Sequence, residues 1–207
     1  MEKSANKSTP PLSLLTITWP IFVELFLQVI MGSTDTIMLS HISDDAVAAV
    51  GVANQLIFLC ILIFTFVSSG TAVVLSQYIG AGLKSEVRTV TAISITLNLA
   101  IGLVISLLMI IFRKELLSLF HLPEHIAGLG EQYLAIVGGT VFLQAVLITV
   151  SSILRANGYT RDAMMVSITM NIIHLIGNAI LIYGLLGFPE MGVIGVSIST
   201  AISRAIA

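Results

Sequence analysis

The feature that most constrains this chain is the stretch over residues 19–41, WPIFVELFLQVIMGSTDTIMLSH. It is apolar and long enough to cross a bilayer, which takes about 20 residues, yet it carries two carboxylates. A charged side chain at the bilayer centre costs at least about 2.5 kcal/mol, so an acid inside a span indicates a function. Steps of four, three and four residues place one polar stripe on a single helix face. The stripe is Glu24, Gln28, Met31 and Asp35, and we expect it to point away from lipid.

The rest of the chain is also apolar. Hydrophobic residues make up 57% and charged residues 10%, and the mean hydropathy is +1.05. This composition predicts a multi-pass integral protein of the cell membrane and excludes an ordinary soluble domain. No basic patch of the kind that binds nucleic acid is present. The single Cys60 lies in an apolar run, and we expect it to pack in the interior.

Charged turns divide the chain into a polar tail over residues 1–12 and six apolar segments. The predicted spans are 13–39, 54–78, 89–112, 132–154, 163–186 and 191–207. They predict an all-α, six-helix transmembrane bundle, with a short interfacial helix near 114–120. The last span is short for a crossing, so we expect the chain to be truncated.

The basic residues predict the orientation. With the N terminus in the cytoplasm, only Arg113 and Lys114 fall outside, as the positive-inside rule requires. The other seven of the nine fall in cytoplasmic segments: Lys3, Lys7, Lys84, Arg88, Arg155, Arg161 and Arg204. On this assignment Arg204 lies at the cytoplasmic end of the last span.

Polar residues in the later spans also form helical stripes. They are Thr91, Ser94 and Asn98 in span 3, Thr140, Gln144 and Ser151 in span 4, and Ser167, Asn171, His174 and Asn178 in span 5. One interpretation is that each residue makes an interhelical hydrogen bond and serves assembly only. The other is a shared polar cavity, which the two carboxylates favour, with Glu24, Gln28, Gln144 and Asn171 as lining candidates.

Asp35 is the residue with the clearest functional signal, as a group that carries a proton or coordinates a cation. Glu24 lies nearer the cytoplasmic end, where it either snorkels or lines an entrance. His174 is more often a structural interior histidine, although its titration range also suits a second proton acceptor. Beyond a Na⁺ ion at Asp35, we expect no metal and no cofactor.

Four motifs in order resemble the multidrug and toxic compound extrusion (MATE) family. They are Asp35-Thr36 with Met38, the run SQYIGAG over residues 76–82, the turn LRANGYTR over residues 154–161, and Asn178 followed by Ile182-Tyr183-Gly184 with Gly192, Gly195 and Thr200 beyond. The resemblance covers nearly the whole chain but only the first of the family's two six-helix lobes. It therefore implies a missing C-terminal lobe as a partner.

The resemblance implies an exporter of organic cations and other amphiphilic drugs that works by alternating access against a Na⁺ or H⁺ gradient. Its cation site would comprise Asp35, Asn178, Thr200 and the position one turn before Asn178. That position is often Asn in the family and is His174 here. Because an imidazole suits protons or softer metals better than Na⁺, this departure favours H⁺.

Rival classes make different demands on the sequence. A lipid-linked oligosaccharide flippase of the same superfamily would need cationic residues facing the cavity to hold a pyrophosphate, and the predicted spans contain none. An intramembrane enzyme would need paired aspartates in neighbouring spans or a His-Glu-x-x-His helix, and neither occurs. A structural membrane fragment would not need Asp35. These comparisons favour a transporter.

Overall fold

The computed structural model describes residues 14–207, and this range folds into α-helices joined by short turns. The helices are α1 (Leu14–Ser40), α2 (Asp44–Gly80), α3 (Lys84–Ile111), α4 (Arg113–Ser118), α5 (Glu124–Tyr133), α6 (Val141–Ala156), α7 (Thr160–Tyr183) and α8 (Gly192–Ile206). A π-helical turn, Leu134–Gly138, continues α5, and a 3₁₀ turn, Leu185–Gly187, follows α7.

Within this range, four helices are long and apolar enough to cross a membrane: α2, α3, α7 and the part of α1 from Thr18 to Ser40. The bent pair formed by Glu124–Gly138 and Val141–Ala156 supplies a fifth span if the two pieces cross together. Helix α8 occupies the predicted sixth span, 191–207. Its 15 residues are fewer than the roughly 20 that a straight crossing needs.

Helix α2 is much longer than the predicted span 54–78, because it begins directly after the turn that ends α1. The Ser43 side chain accepts hydrogen bonds from the backbone amides of Asp45 and Ala46. This serine is a favourable N-cap, and the acidic Asp44 and Asp45 suit the positive end of the helix dipole. Residues 44–53, which lie before the predicted span 54–78, are therefore the first part of α2.

The predicted span 132–154 lies in an element that bends. The axis of Val141–Ala156 is bent by 46° from that of Glu124–Gly138, and the bend lies at the π-helical turn and Gly139. A Cβ atom on Gly138 would lie 3.1 Å from the Met109 Cβ, and one on Gly139 would lie 2.9 Å from the Ile110 Cδ1. The two glycines let α3 approach the bend closely, and a π-helical turn is a usual cause of a kink.

The core lies between α2, the bent element and α8. Phe64, Leu134, Val137 and Val141 are fully buried there, and Cys60 packs with them. Large apolar side chains such as Phe22, Phe66 and Leu107 stay exposed on the outer faces of the helices, which suits contact with lipid chains. Helix α1 packs mainly on α7, and α7 packs on α8. These three helices position the candidate site.

Small residues allow α7 and α8 to pack closely. A Cβ atom on Gly195 of α8 would lie 2.6 Å from the Leu181 carbonyl oxygen, and one on Gly177 of α7 would lie 2.5 Å from the Ser199 Oγ. The first distance is too short for a side chain without a shift of the backbone, and the second would require the Ser199 side chain to move. Glycine at these positions therefore sets the spacing between the two helices, as small residues do in membrane bundles.

Replacing Gly195 by alanine should destabilise the bundle by about 1–3 kcal/mol, because overpacking forces the helices apart. Gly51→Ala on α2 is the matched control, since no atom lies within 4 Å of a Cβ atom built there. That change should be neutral or stabilising by up to about 1 kcal/mol. Thermal unfolding in detergent compares the two variants, and equal midpoints would contradict the close approach at Gly195.

Candidate functional site

Helices α1, α7 and α8 bring four of the predicted site residues together in a buried polar cluster, which we call the Asp35 cluster. Asp35 is 7% exposed, and His174, Asn178 and Thr200 are each 3% exposed or less. The Asn178 Nδ2 donates a hydrogen bond to the Asp35 Oδ1 at 2.6 Å. The His174 Nε2 lies 3.6 Å from the same oxygen and 3.1 Å from the Thr200 Oγ1.

The hydrogen bonds of Thr200 indicate which nitrogen of His174 carries the proton. The Thr200 hydroxyl donates to the Val196 carbonyl at 2.8 Å, so its oxygen is free only to accept. The Nε2 of His174 must then be the donor in their contact. The same nitrogen lies 3.6 Å from the Asp35 carboxylate, which is beyond hydrogen-bond distance, so the Asn178 amide donates to this buried acid and the imidazole lies beside it.

Asn178 also has a polar atom without a partner. Its Oδ1 is buried and has no hydrogen-bond partner among residues 14–207. Buried amide oxygens are usually satisfied by a donor, a water molecule or a cation. Together with the Asp35 carboxylate and the Thr200 hydroxyl, this oxygen belongs to the class of ligands that hard cations prefer.

Over the described residues, no group of three or more His, Cys, Asp and Glu side chains forms a metal site. The cluster is therefore chemically suited to a proton or to a hard monovalent cation.

A cavity of about 380 Å³ lies between α1, α2, α6 and α7. All four predicted lining candidates contribute to its wall: Glu24, Gln28, Gln144 and Asn171. Ser151 and Ser167 line it as well. The polar stripes of spans 1, 4 and 5 thus face a common space.

The cavity and the Asp35 cluster occupy successive sections of the same helix faces. On α1, the stripe lines the cavity as far as Met31 and reaches Asp35 one turn later. The stripe on α7 is divided in the same way, with Ser167 and Asn171 at the cavity and His174 and Asn178 in the cluster. A change in the packing of α1 on α7 would therefore affect both.

Glu24 forms an ion pair on the cavity wall. Both of its carboxylate oxygens lie 2.8 Å from the Arg155 Nη1, and the two side chains are 19% and 30% exposed. The pair links α1 to α6 across residues that line the cavity. Glu24 therefore lies on the cavity wall, paired with Arg155, and does not extend freely toward the membrane surface. Its position at an entrance to the cavity stays a prediction.

Arg204 requires a correction. The charge pattern predicts a cytoplasmic position for Arg204, but this residue is buried in the last turn of α8 and lines the cavity. Its Nε and Nη1 have no hydrogen-bond partner in the described part of the chain. A signal was available, because Ser197, Thr200 and Arg204 follow steps of three and four on one helix face. The absence of cationic residues from the spans therefore no longer argues against a flippase, since Arg155 and Arg204 both line the cavity.

The polar stripe of α3 does not reach the cavity. The Asn98 Nδ2 donates to the Ser68 Oγ at 3.0 Å and also contacts the Thr149 Oγ1, while Thr71 donates to Ser94 at 2.9 Å. Helix α3 packs on α2 and α6, away from α1. For Ser94 and Asn98 of this helix, the interpretation as interhelical hydrogen bonds is the correct one.

Comparison with known proteins identifies the family. The MatE family profile matches residues 20–180. The chain belongs to the MatE family. The resemblance inferred from the motifs is thereby confirmed, and so is the all-α membrane bundle as one lobe of a larger transporter. MatE proteins are multi-pass transporters of the cell membrane, not enzymes.

Relatives of this MatE chain are roughly twice as long. It is 44% identical over 206 residues to the uncharacterized transporter YisQ of Bacillus subtilis (strain 168), covering 100% of the chain and 45% of YisQ. It is 30% identical over 192 residues to the probable multidrug resistance protein NorM of Thermotoga maritima, covering 92% of the chain and 41% of NorM. The chain thus spans less than half the length of these curated relatives.

Solved MATE structures share the fold. A MATE crystal structure in the straight conformation matches with a TM-score of 0.85 at 23% identity, covering 93% of this chain and 42% of that one. A structure in the bent conformation matches with a TM-score of 0.84 at the same identity and coverage. At this identity the likeness establishes the fold alone.

The ion pair between Glu24 and Arg155 should stabilise the lobe by about 1 kcal/mol, because the two groups are only partly screened by solvent. Glu24→Gln and Arg155→Gln should each lower the thermal midpoint in detergent. In the double variant the losses should be clearly less than additive, since the second change removes the partner that the first left unpaired. Strictly additive losses would mean that the two groups do not interact in the folded protein.

Proposed function

We propose that the complete protein containing this chain is a cation-coupled antiporter that exports amphiphilic organic compounds, including organic cations, by alternating access. The observation that carries the proposal is the buried Asp35 carboxylate, which is held by Asn178 one turn beyond a polar-lined cavity. The relative NorM is described as a probable multidrug resistance protein. That description supports small-molecule drugs as the substrate class.

The coupling rests on the cost of burying a charge. An ionised carboxylate is poorly solvated between helices in a membrane, and a bound proton or cation removes the net charge. The amide donor of Asn178 stabilises the ionised form only in part. Binding of a proton or cation therefore changes the free energy of this site, and an imposed ion gradient can drive that change.

We propose H⁺ as the coupling ion. The Asn178 amide presents its nitrogen to the carboxylate, and the His174 imidazole lies beside the same oxygen, with its Nε2 at 3.6 Å. The amide N–H is a donor to the anionic oxygen, whereas a ligand of Na⁺ has to present an oxygen atom to the ion. His174 offers a second group that takes up a proton. A Na⁺ ion would require the amide to turn its Oδ1 toward Asp35.

Helix α1 would transmit the change to the cavity. It carries Asp35 near one end and the lining residues Glu24 and Gln28 further along the same face. Protonation of Asp35 weakens its attraction for the donors on α7 and so alters the packing or the bend of α1. Relatives of known structure include a MATE protein in bent and straight conformations, which supports two states of a helix bundle of this kind.

Replacing Asp35 by asparagine should abolish coupled efflux, with a loss of at least about tenfold, because the amide cannot bind a proton. Drug efflux from proteoliposomes containing the complete protein, under separately imposed H⁺ and Na⁺ gradients, measures the effect. Asp44→Asn is the matched control, since Asp44 is exposed at the start of α2. Unchanged transport by the Asp35 variant would favour a structural role for this lobe.

Replacing His174 by asparagine tests the choice of ion. The change removes the imidazole and supplies an amide oxygen, so dependence on the H⁺ gradient should fall and dependence on Na⁺ should rise. The same proteoliposomes report the ratio of efflux under the two gradients. If that ratio stays as it is in the unmodified protein, His174 takes no part in selecting the ion.

A further inference from the structure

The charges on the cavity wall do not cancel. Within the described chain, three charged residues line the cavity: Glu24, Arg155 and Arg204. Glu24 and Arg155 neutralise each other in their ion pair. Arg204 therefore leaves the cavity with one net positive charge, in the lobe that the preceding proposal assigns to binding amphiphilic drugs.

Arg204 lacks the partner that a buried guanidinium needs. It is 8% exposed, its Nε and Nη1 have no hydrogen-bond partner among residues 14–207, and no carboxylate in that range lies within salt-bridge distance. A buried charge without a partner is strongly destabilising. An anion from outside residues 14–207, supplied by a bound substrate or by the rest of the complete protein, would therefore stabilise this guanidinium.

The rest of the cavity fits a small amphiphile. Its volume of about 380 Å³ lies within the range of small-molecule sites, roughly 300–1,000 Å³. The apolar side chains of Leu25, Ile61, Ile148 and Val166 line it and can cover a ring system. The amides of Gln28 and Asn171 can hydrogen-bond to polar substituents.

We propose that Arg204 is a specificity-determining residue that binds a carboxylate group of the substrate. The planar guanidinium presents paired N–H donors that match the two oxygens of a carboxylate. The inference rests on the proposed function and narrows its substrate class to amphiphiles that carry a carboxylate, whether or not they also carry a positive charge. The competing explanation is that Arg204 serves only as a distant counter-charge for Asp35.

The test compares two probes that differ only in this group: a fluorescent rhodamine dye with a free carboxylate and the methyl ester of the same dye. Binding to the complete protein in detergent is measured by fluorescence polarisation. The unmodified protein should bind the free acid about tenfold to a hundredfold more tightly than the ester, as expected for a charge-assisted hydrogen bond. Equal affinities, or a preference for the ester, would overturn the proposal without any variant.

Three variants locate the effect. Arg204→Gln should abolish the preference for the acid, and Arg204→Lys should keep part of it, because lysine retains the charge but not the paired donors. Arg161→Gln removes an exposed arginine from the first turn of α7 and should keep the full preference. If Arg204→Gln weakens acid and ester equally, or leaves the preference intact, Arg204 does not contact the carboxylate.

The experiment is independent of the coupling proposal. Binding in detergent involves no ion gradient, so a failure here would leave the role of Asp35 untouched. Conversely, uncoupled or absent transport in proteoliposomes would leave a measured preference for the acid intact.

Discussion

The hydrogen bond between Asn178 and Asp35 is the interaction on which the candidate site depends. This bond joins α1 to α7 at Asp35, the carboxylate of α1 whose burial in the membrane costs the most free energy. The α7–α8 contact is close because Gly177 and Gly195 leave no side chain between the helices, and this brings Thr200 within reach of His174. A buried carboxylate, two donors and a hydroxyl thus meet because three helices pack at close range.

The polar residues inside the bundle have two different roles, although they are of the same types. Asn98 is surrounded by partners from α2 and α6 and serves the packing of these helices. Asn171 and Gln144 face an open cavity instead. The difference lies in the neighbours, because a polar side chain between packed helices finds a partner in the protein, whereas one on a cavity wall can exchange partners with water or a ligand.

Arg204 gives the cavity wall one net positive charge. A site lined only by amides, hydroxyls and a paired acid would favour neutral or cationic compounds. On our proposal, the additional guanidinium without a partner among residues 14–207 would give the site a preference for a negative group. The two arginines on the wall also remove one argument that separated an exporter from a flippase. The net charge of the cavity wall comes from this one residue near the end of α8, because Glu24 and Arg155 form an ion pair.

Much of this protein follows from local sequence. Apolar runs predict helices that can cross a membrane, steps of three and four residues place Glu24, Gln28 and Asp35 on one face, and short motifs identify the family, because helical periodicity and sequence motifs depend only on neighbours along the chain. Only the tertiary structure decided that the α3 stripe is internal, that the span after α4 bends at its glycines, and that Arg204 is buried beside the cavity. Each of these depends on which helices are neighbours in space, and a stripe on one helix does not specify the surface that it will meet.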